Sequence, residues 1–176
     1  MGFLDHISLR GLNLYKQHAT VDSLNEIVTF YLYDLQERLV GYQQYNWKGS
    51  KHKRNIVEGK YYSYITSGRK GIWGLDTLDP GEDEPIYLVE GIWDAIAIQR
   101  LGLNAIAVLC NNPKHLTKEL QQLRVMYNTD IVAVCDGDTS GLMLAKYSDS
   151  AVRLPEGEDA SSLDPVDLAM ILLGEM

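Results

Sequence analysis

The chain has 176 residues, 45% of them hydrophobic, and a formal net charge of -8. That length and apolar content suit a single domain, or a domain with a small appendage, that can bury a core. The acidic balance argues against an indiscriminate nucleic-acid binder. The absence of any ~20-residue apolar run or secretory signal points to a soluble cytoplasmic protein with no membrane partner.

Charge is unevenly spread. Residues 1–80 carry 10 bases and 8 acids, net +2, while the remaining 96 carry 6 bases and 16 acids, net -10. A basic segment is joined to an acidic body. The first 25 or so residues are weakly patterned and read as a short helix and a loop. Ile27–Tyr33 is β-branched and aromatic, Asp34–Glu37 is a polar turn, and Leu39–Tyr45 alternates, which together predict a hairpin. "GSKHKRNIVEGK" is a basic, glycine-punctuated loop, and "YYSYITSGRKGIWGL" predicts one more short strand and a turn. The tract "DPGEDEP" (79–85) is the clearest linker, with two prolines, a glycine and clustered acids. It separates a subdomain at 1–80 from a second domain at 85–176.

After the linker the rhythm changes. Short apolar runs, "IYLVE", "NAIAVLC", "DIVAVC" and "AVRLP", alternate with helical stretches. Leu116, Leu120, Leu123 and Met126 are spaced for the buried face of one such helix. "TSGLMLAKYS" reads as a short helix, and "DPVDLAMILLG" as a last one with Asp164 as its cap and Pro165 at its first position. The alternation predicts an α/β fold with a mostly parallel sheet flanked by helices, preceded by a small mixed β subdomain. The two cysteines, Cys110 and Cys135, sit in apolar runs without a CxxC partner. They read as buried small side chains, and no zinc is expected.

Open α/β sheets place functional groups beyond the carboxyl ends of their strands. Here the first run of the body ends at Glu90-Gly91, the second at Cys110-Asn111-Asn112 and the third at Asp136-Gly137-Asp138. If the first and third strands are neighbours, Glu90 meets the Asp pair, and Asp94, one helical turn on, can share that face. Carboxylates gathered this way demand a cation, and all-oxygen donors suit Mg²⁺ or Mn²⁺. Each acid has a plainer reading too. The Asp pair could be a solvated loop with a helix cap, Glu90 a surface acid at a strand end, and Asp94 a first-turn acid complementing a helix dipole.

"YLVEGIWDAIAIQRLGLNAIAVL" followed by "IVAVCDGDTSG" resembles the Toprim domain, the metal-binding fold shared by topoisomerases and bacterial or phage-type DNA primases. The primase catalytic core is the nearer likeness: "VEGIWDAIAI" has the Glu-Gly-x-x-Asp-x-x-Ala form and "CDGDTSG" the Asp-Gly-Asp-x-x-Gly form. Upstream, "KGIWGL" and "KHKRN" resemble basic segments of the same core, and the likeness covers roughly residues 27–173. The resemblance implies a Toprim fold and a Mg²⁺-dependent nucleotidyltransferase that joins nucleoside triphosphates on single-stranded DNA. It implies catalytic roles for Glu90, Asp136 and Asp138, with Asp94 and Asp159 completing the metal ligands. Lys51, Lys53, Arg54, Arg69 and Lys70 would contact template or nucleotide; they also read as a solubilising loop. Tyr42, Tyr45, Trp47, Tyr61 and Tyr62 flank that loop and could stack on bases or fill the sheet. A metal-dependent nuclease and a non-catalytic nucleic-acid-binding replication factor are the competing functions. The chain departs from the family in having "CNNP" after its second run, no zinc-binding module and no Gly-x-x-x-x-Gly-Lys-Thr loop. Those departures leave three readings: a minimal catalytic core from a virus or mobile element, a fragment of a larger protein, or a form whose template reader, a helicase or zinc-module protein, is supplied in trans.

Overall fold

A computed structural model describes residues 1–81, 84–137 and 141–174. The chain divides between Asp76 and Thr77 into two compact units, a few residues ahead of the 79–85 linker.

The first unit is an antiparallel sheet with a helix. Helix α1 (Phe3–Leu9) buries Phe3 and Ile7, and the Gly2 N–H donates to the Asp5 carboxylate at 3.1 Å. Strands β1 (Ala19–Asp22), β2 (Ile27–Tyr33), β3 (Leu39–Asn46) and β4 (Tyr61–Ile65) form a meander in chain order. Strand β1 stands where the sequence pattern suggests only a loop. Its four residues alternate and pair fully with β2, from Ala19 opposite Phe30 to Asp22 opposite Ile27. Ladder hydrogen bonds and a half-covered face stabilise a segment too short to show a pattern of its own. Along β2 every second residue, Val28, Phe30 and Leu32, is buried. With Val40, Tyr45, Ile72 and Trp73 they form the core of this unit, and Trp73 meets Phe30 edge-on at 6.1 Å. The hairpin turn at Asp34 is tied by its own carboxylate. Asp34 accepts the Gln36 and Arg38 N–H groups and the Arg38 guanidinium, and Glu37 takes the left-handed conformation at φ 58°.

The second unit is a four-stranded sheet in the order β6 (Asn104–Ala107), β5 (Ile86–Val89), β7 (Ile131–Cys135), β8 (Ser150–Arg153), and every pairing is parallel. All four residues of β5 are buried, as expected of a strand covered on both faces. Helix α2 (Ile92–Arg100) follows β5, α3 (Thr117–Tyr127) lies between β6 and β7, and α4 (Pro165–Leu173) closes the described chain. Asp164 caps α4 by accepting the Val166 N–H at 2.9 Å, with Pro165 opening the helix. Three expectations need correction. Leu116, Leu120 and Leu123 are buried, but Met126 is 59% exposed, because two three-residue steps from Leu120 fall short of whole turns and rotate that last position off the buried face. The second strand ends at Ala107, ahead of Cys110, since Leu109 turns into the left-handed region at φ 61°. Gly141–Tyr147 forms 3₁₀ turns in place of a short α-helix, the tighter i to i+3 winding common in short connectors. No described helix is long and apolar enough to cross a membrane.

Candidate active site

Glu90 and Asp136 are the first residues past β5 and β7. These strands are neighbours with a constant offset of 45 positions, Ile86 standing opposite Ile131 and Leu88 opposite Ala133. Continued two residues, that register brings Glu90 level with Cys135 and one step from Asp136. Each acid has a thiol beside it. Burial pushes the Cys110 thiol up, and the Glu90 charge adds to it. Burial raises Cys135 as well, with Asp136 adding and Arg153 opposing. Both thiols are thereby kept protonated and unreactive. The Glu90 backbone is anchored from β6's far end, where the Leu109 N–H donates to the Glu90 carbonyl at 2.9 Å.

Gly91 begins α2, and Ala95 donates back to its carbonyl. A Cβ on Gly91 would run into the Asp94 carboxylate, so the glycine lets that carboxylate lie back over the strand end. Asp94 accepts the Ser161 N–H at 3.1 Å, and the Ser161 hydroxyl donates to Asp159 at 2.9 Å. One serine therefore joins the first turn of α2 to the acid beyond β8. The Asp94 carboxyl is pushed up to about 7, first by burial, then by the charges of Asp159 and Asp136, against the pull of its Ser161 hydrogen bonds. Three acids from three separate segments thus feel one another.

Gly137 permits the close approach of the β7 and β8 ends. A Cβ there would collide with the Pro155 carbonyl and the Glu156 backbone. The Gly137 N–H donates to the Glu158 carbonyl at 3.3 Å, and the Arg153 guanidinium donates to the Gly137 carbonyl at 3.1 Å. Neither Ser161 nor Arg153 stands out in the sequence. Arg153 directly opposes Cys135 across the ladder, so its place follows from strand register that no local motif records. Ser161 sits two residues after Asp159, and that short Asp-x-Ser spacing is the available signal.

Asp138 lies outside the described residues. Among the described residues, no group of three or more His, Cys, Asp or Glu comes together closely enough to hold a metal ion. The donors that converge are all carboxylate oxygens, the chemistry that hard divalent cations accept, and their mutual repulsion is what such an ion relieves. The residues fit Mg²⁺ or Mn²⁺ by type.

The basic candidates belong to the first unit. Lys51, Lys53 and Arg54 are exposed on the loop between β3 and β4; Arg69 is exposed and Lys70 half-buried beyond β4. The loop is built rather than slack. The Asn55 side chain accepts the Val57 and Glu58 N–H groups, and Ser50 pairs with Gly59. Lys53 approaches Glu58 only at 3.9 Å with both side chains more than half exposed, which leaves its charge effectively solvated. Tyr45 is buried and accepts cation contacts from Lys60 and Arg10 on its ring, so it belongs to the core.

No protein-family model matches the chain. It is similar to a DNA primase of Lactococcus lactis subsp. lactis (strain IL1403), 22% identical over 159 residues, covering 85% of this chain and 25% of the relative. Among solved structures it resembles the E. coli primase catalytic core, with 21% identity and a TM-score of 0.63, over 85% of this chain and 51% of that one. It also resembles the primase fragment of the bacteriophage T7 primase-helicase protein, with 13% identity and a TM-score of 0.64, over 96% and 72%. A third is a DnaG primase catalytic domain bound to ssDNA, with 19% identity and a TM-score of 0.61, over 91% and 59%. The chain spans about a quarter of the curated relative and about half of the E. coli core. Its fold is that of the Toprim-type primase catalytic core: a parallel four-stranded sheet flanked by helices, accompanied by an antiparallel sheet.

Proposed function

We propose that the chain is a primase-like nucleotidyltransferase that joins nucleoside triphosphates on a single-stranded DNA template with Mg²⁺ or Mn²⁺. The observation that carries this reading is the placement of Glu90 and Asp136 at adjacent parallel strand ends, beside an Asp94 carboxyl raised to about 7 first by burial and then by the charges of Asp159 and Asp136. The likeness to primase catalytic cores supports it.

Glu90, Asp94, Asp136 and Asp159 would hold the ion, with Asp138 the further candidate from the same motif. A divalent cation supplies charge neutralisation for the triphosphate and Lewis acidity toward the attacking hydroxyl. The protein's own part is placement. Leu109 fixes the Glu90 backbone, Ser161 sets the spacing of Asp94 and Asp159, and Arg153 holds the turn that carries Asp136. Lys51, Lys53, Arg54, Arg69 and Lys70 supply the positive charge that a polyanionic template and nucleotide require. A helicase or zinc-module protein in trans would supply template choice.

The test is direct. The protein is incubated with labelled nucleoside triphosphates, single-stranded DNA and Mg²⁺ or Mn²⁺, and the products are resolved on a gel. New short oligonucleotides that vanish in Asp136→Ala and Glu90→Ala are the expected result. Shortened template without synthesis would replace this reading with a nuclease, and binding without either reaction would replace it with a non-catalytic factor.

A further inference from the structure

The outer face of the antiparallel sheet carries a row of tyrosines that the acids of the second unit do not explain. Tyr31 stands directly opposite Tyr42, and Tyr42 directly opposite Tyr64, so one ring from each of three strands lies in line. Tyr62 joins them from the next position on that face, opposite Gln44. The ring centroids of Tyr42 lie 5.7 Å from Tyr64 and 6.3 Å from Tyr62. Tyr64 is 48% exposed, while Tyr31, Tyr42 and Tyr62 keep part of their surface open. The alternate residues of the same strands, Phe30, Leu32 and Tyr45, fill the core. Cross-strand pairing accounts for aromatic residues on a sheet, but it does not account for four of them on one side with none fully buried.

The polar residues on this face are neutral, Thr29 and Gln44 among them, apart from Asp22. That carboxylate sits at a far corner and is already bound by the Asn25 side chain and the Leu24 and Asn25 N–H groups. Cations flank the row instead. The loop bearing Lys51, Lys53 and Arg54 leads into β4, and Arg69 and Lys70 follow its other end. The five residues of β4 span ~17 Å at the usual strand rise. A row of aromatic rings, tilted by 31° to 47° from one another, with positive charge on the segments at both ends of β4 matches a strand of unpaired bases: rings stack on bases, and lysine and arginine neutralise the phosphates on either side.

We propose that single-stranded DNA lies across this sheet, its bases stacked on Tyr42, Tyr62 and Tyr64. The inference deepens the template-directed reading above and rests on it for the identity of the nucleic acid. It separates Tyr31, Tyr42, Tyr62 and Tyr64, which share one face, from Tyr45 and Tyr61, which stand opposite each other on the other face.

The experiment measures anisotropy of a labelled oligo-dT with the full chain, its Tyr42→Leu and Tyr64→Leu variants, and Tyr42→Phe. Loss of one stacking ring should weaken binding ~10-fold, and Tyr42→Phe, which keeps the ring, should stay within about twofold of wild type. A duplex of equal length should bind more weakly, because its bases are already stacked. Crosslinking of an iodouracil-substituted oligonucleotide should map to Tyr42, Tyr62 or Tyr64. Unchanged affinity in the folded leucine variants, equal affinity for duplex, or no binding by wild type would each overturn the proposal. Primer synthesis measured on the same preparations separates the two readings. Product formed by wild type with ring-independent binding refutes the stacking surface alone. Ring-dependent binding without product refutes the synthesis reading alone.

Discussion

Replacing Asp94 with asparagine should stabilise the metal-free protein, and only at high pH. Burial and the charges of Asp159 and Asp136 raise the Asp94 carboxyl from 3.8 to about 7. A carboxyl with a raised folded-state pKa binds its proton more tightly in the native state. Stability is therefore highest below the unfolded value, falls as pH rises between 3.8 and about 7, and then levels off. Each pH unit in that interval is worth ~1.4 kcal/mol, so the native state carries a penalty of about 4 kcal/mol above both values. The asparagine side chain would keep the oxygen that accepts the Ser161 N–H while removing the charge. In EDTA at pH 8 the Asp94→Asn protein should therefore gain roughly 2–4 kcal/mol, and at pH 4.5 less than about 1 kcal/mol. Native-state hydrogen exchange of the β5 and β7 amides reads this unit by itself, independently of the first. Added Mg²⁺ should raise protection in wild type more than in the variant. An equal effect at both pH values, or a loss of stability at pH 8, would refute the electrostatic account of the acid cluster.

Two other substitutions probe the scaffold. Gly137→Ala drives a methyl group into the Pro155 carbonyl and should cost ~1–3 kcal/mol along with oligonucleotide synthesis; urea titration within 0.5 kcal/mol of wild type, an approximate limit of detection, would show that the strand ends are not held this tightly. Asp149 accepts the Arg124 guanidinium at 2.6 Å and the Ile131 N–H at 2.8 Å, locking α3 to the start of β7. Burial opposes ionisation there, but these bonds outweigh it and hold the Asp149 carboxyl below its ordinary value. Its contribution is present above the ordinary carboxylate range and lost as pH falls through the lowered folded-state value. Because the side chain is partly exposed, Asp149→Ala should cost only ~1–2 kcal/mol at pH 7, and the difference from wild type should shrink in acid; a difference independent of pH would remove the ion pair from the explanation.

The parts that were legible in the sequence are those with a local cause. Continuous apolar runs marked β5, β6 and β7, and an Asp-Pro pair marked the start of α4, because burial on both faces and helix capping act over a few residues. The place of Glu90 and Asp136 at neighbouring strand ends followed from the strand alternation alone. What escaped depends on distant partners. β1 exists because β2 offers it a ladder. Arg153 reaches the Asp136 turn because β8 lies in register with β7. Met126 faces solvent because two successive three-residue steps, from Leu120 through Leu123, carry it off the buried face. The tyrosine row shows the same limit: its members are scattered over positions 31, 42, 62 and 64, and only the pairing of β2, β3 and β4 puts them in line.

The strand order of the second unit also sets how stiff each part of the acid cluster is. β5 is hydrogen-bonded on both sides, to β6 and to β7, and β7 is likewise held between β5 and β8. Glu90 and Asp136 thus stand on the two most constrained strands of the sheet. Asp159 hangs from a loop beyond the edge strand and is tied back through the hydroxyl of Ser161. The cluster is mechanically lopsided, with one jaw made by the sheet and the other by a loop whose Asp159 is held through Ser161 at its carboxylate and Ser162 at its backbone. On the proposed reading, differences in ion radius would be taken up on the Asp159 side while the strand ends keep their spacing.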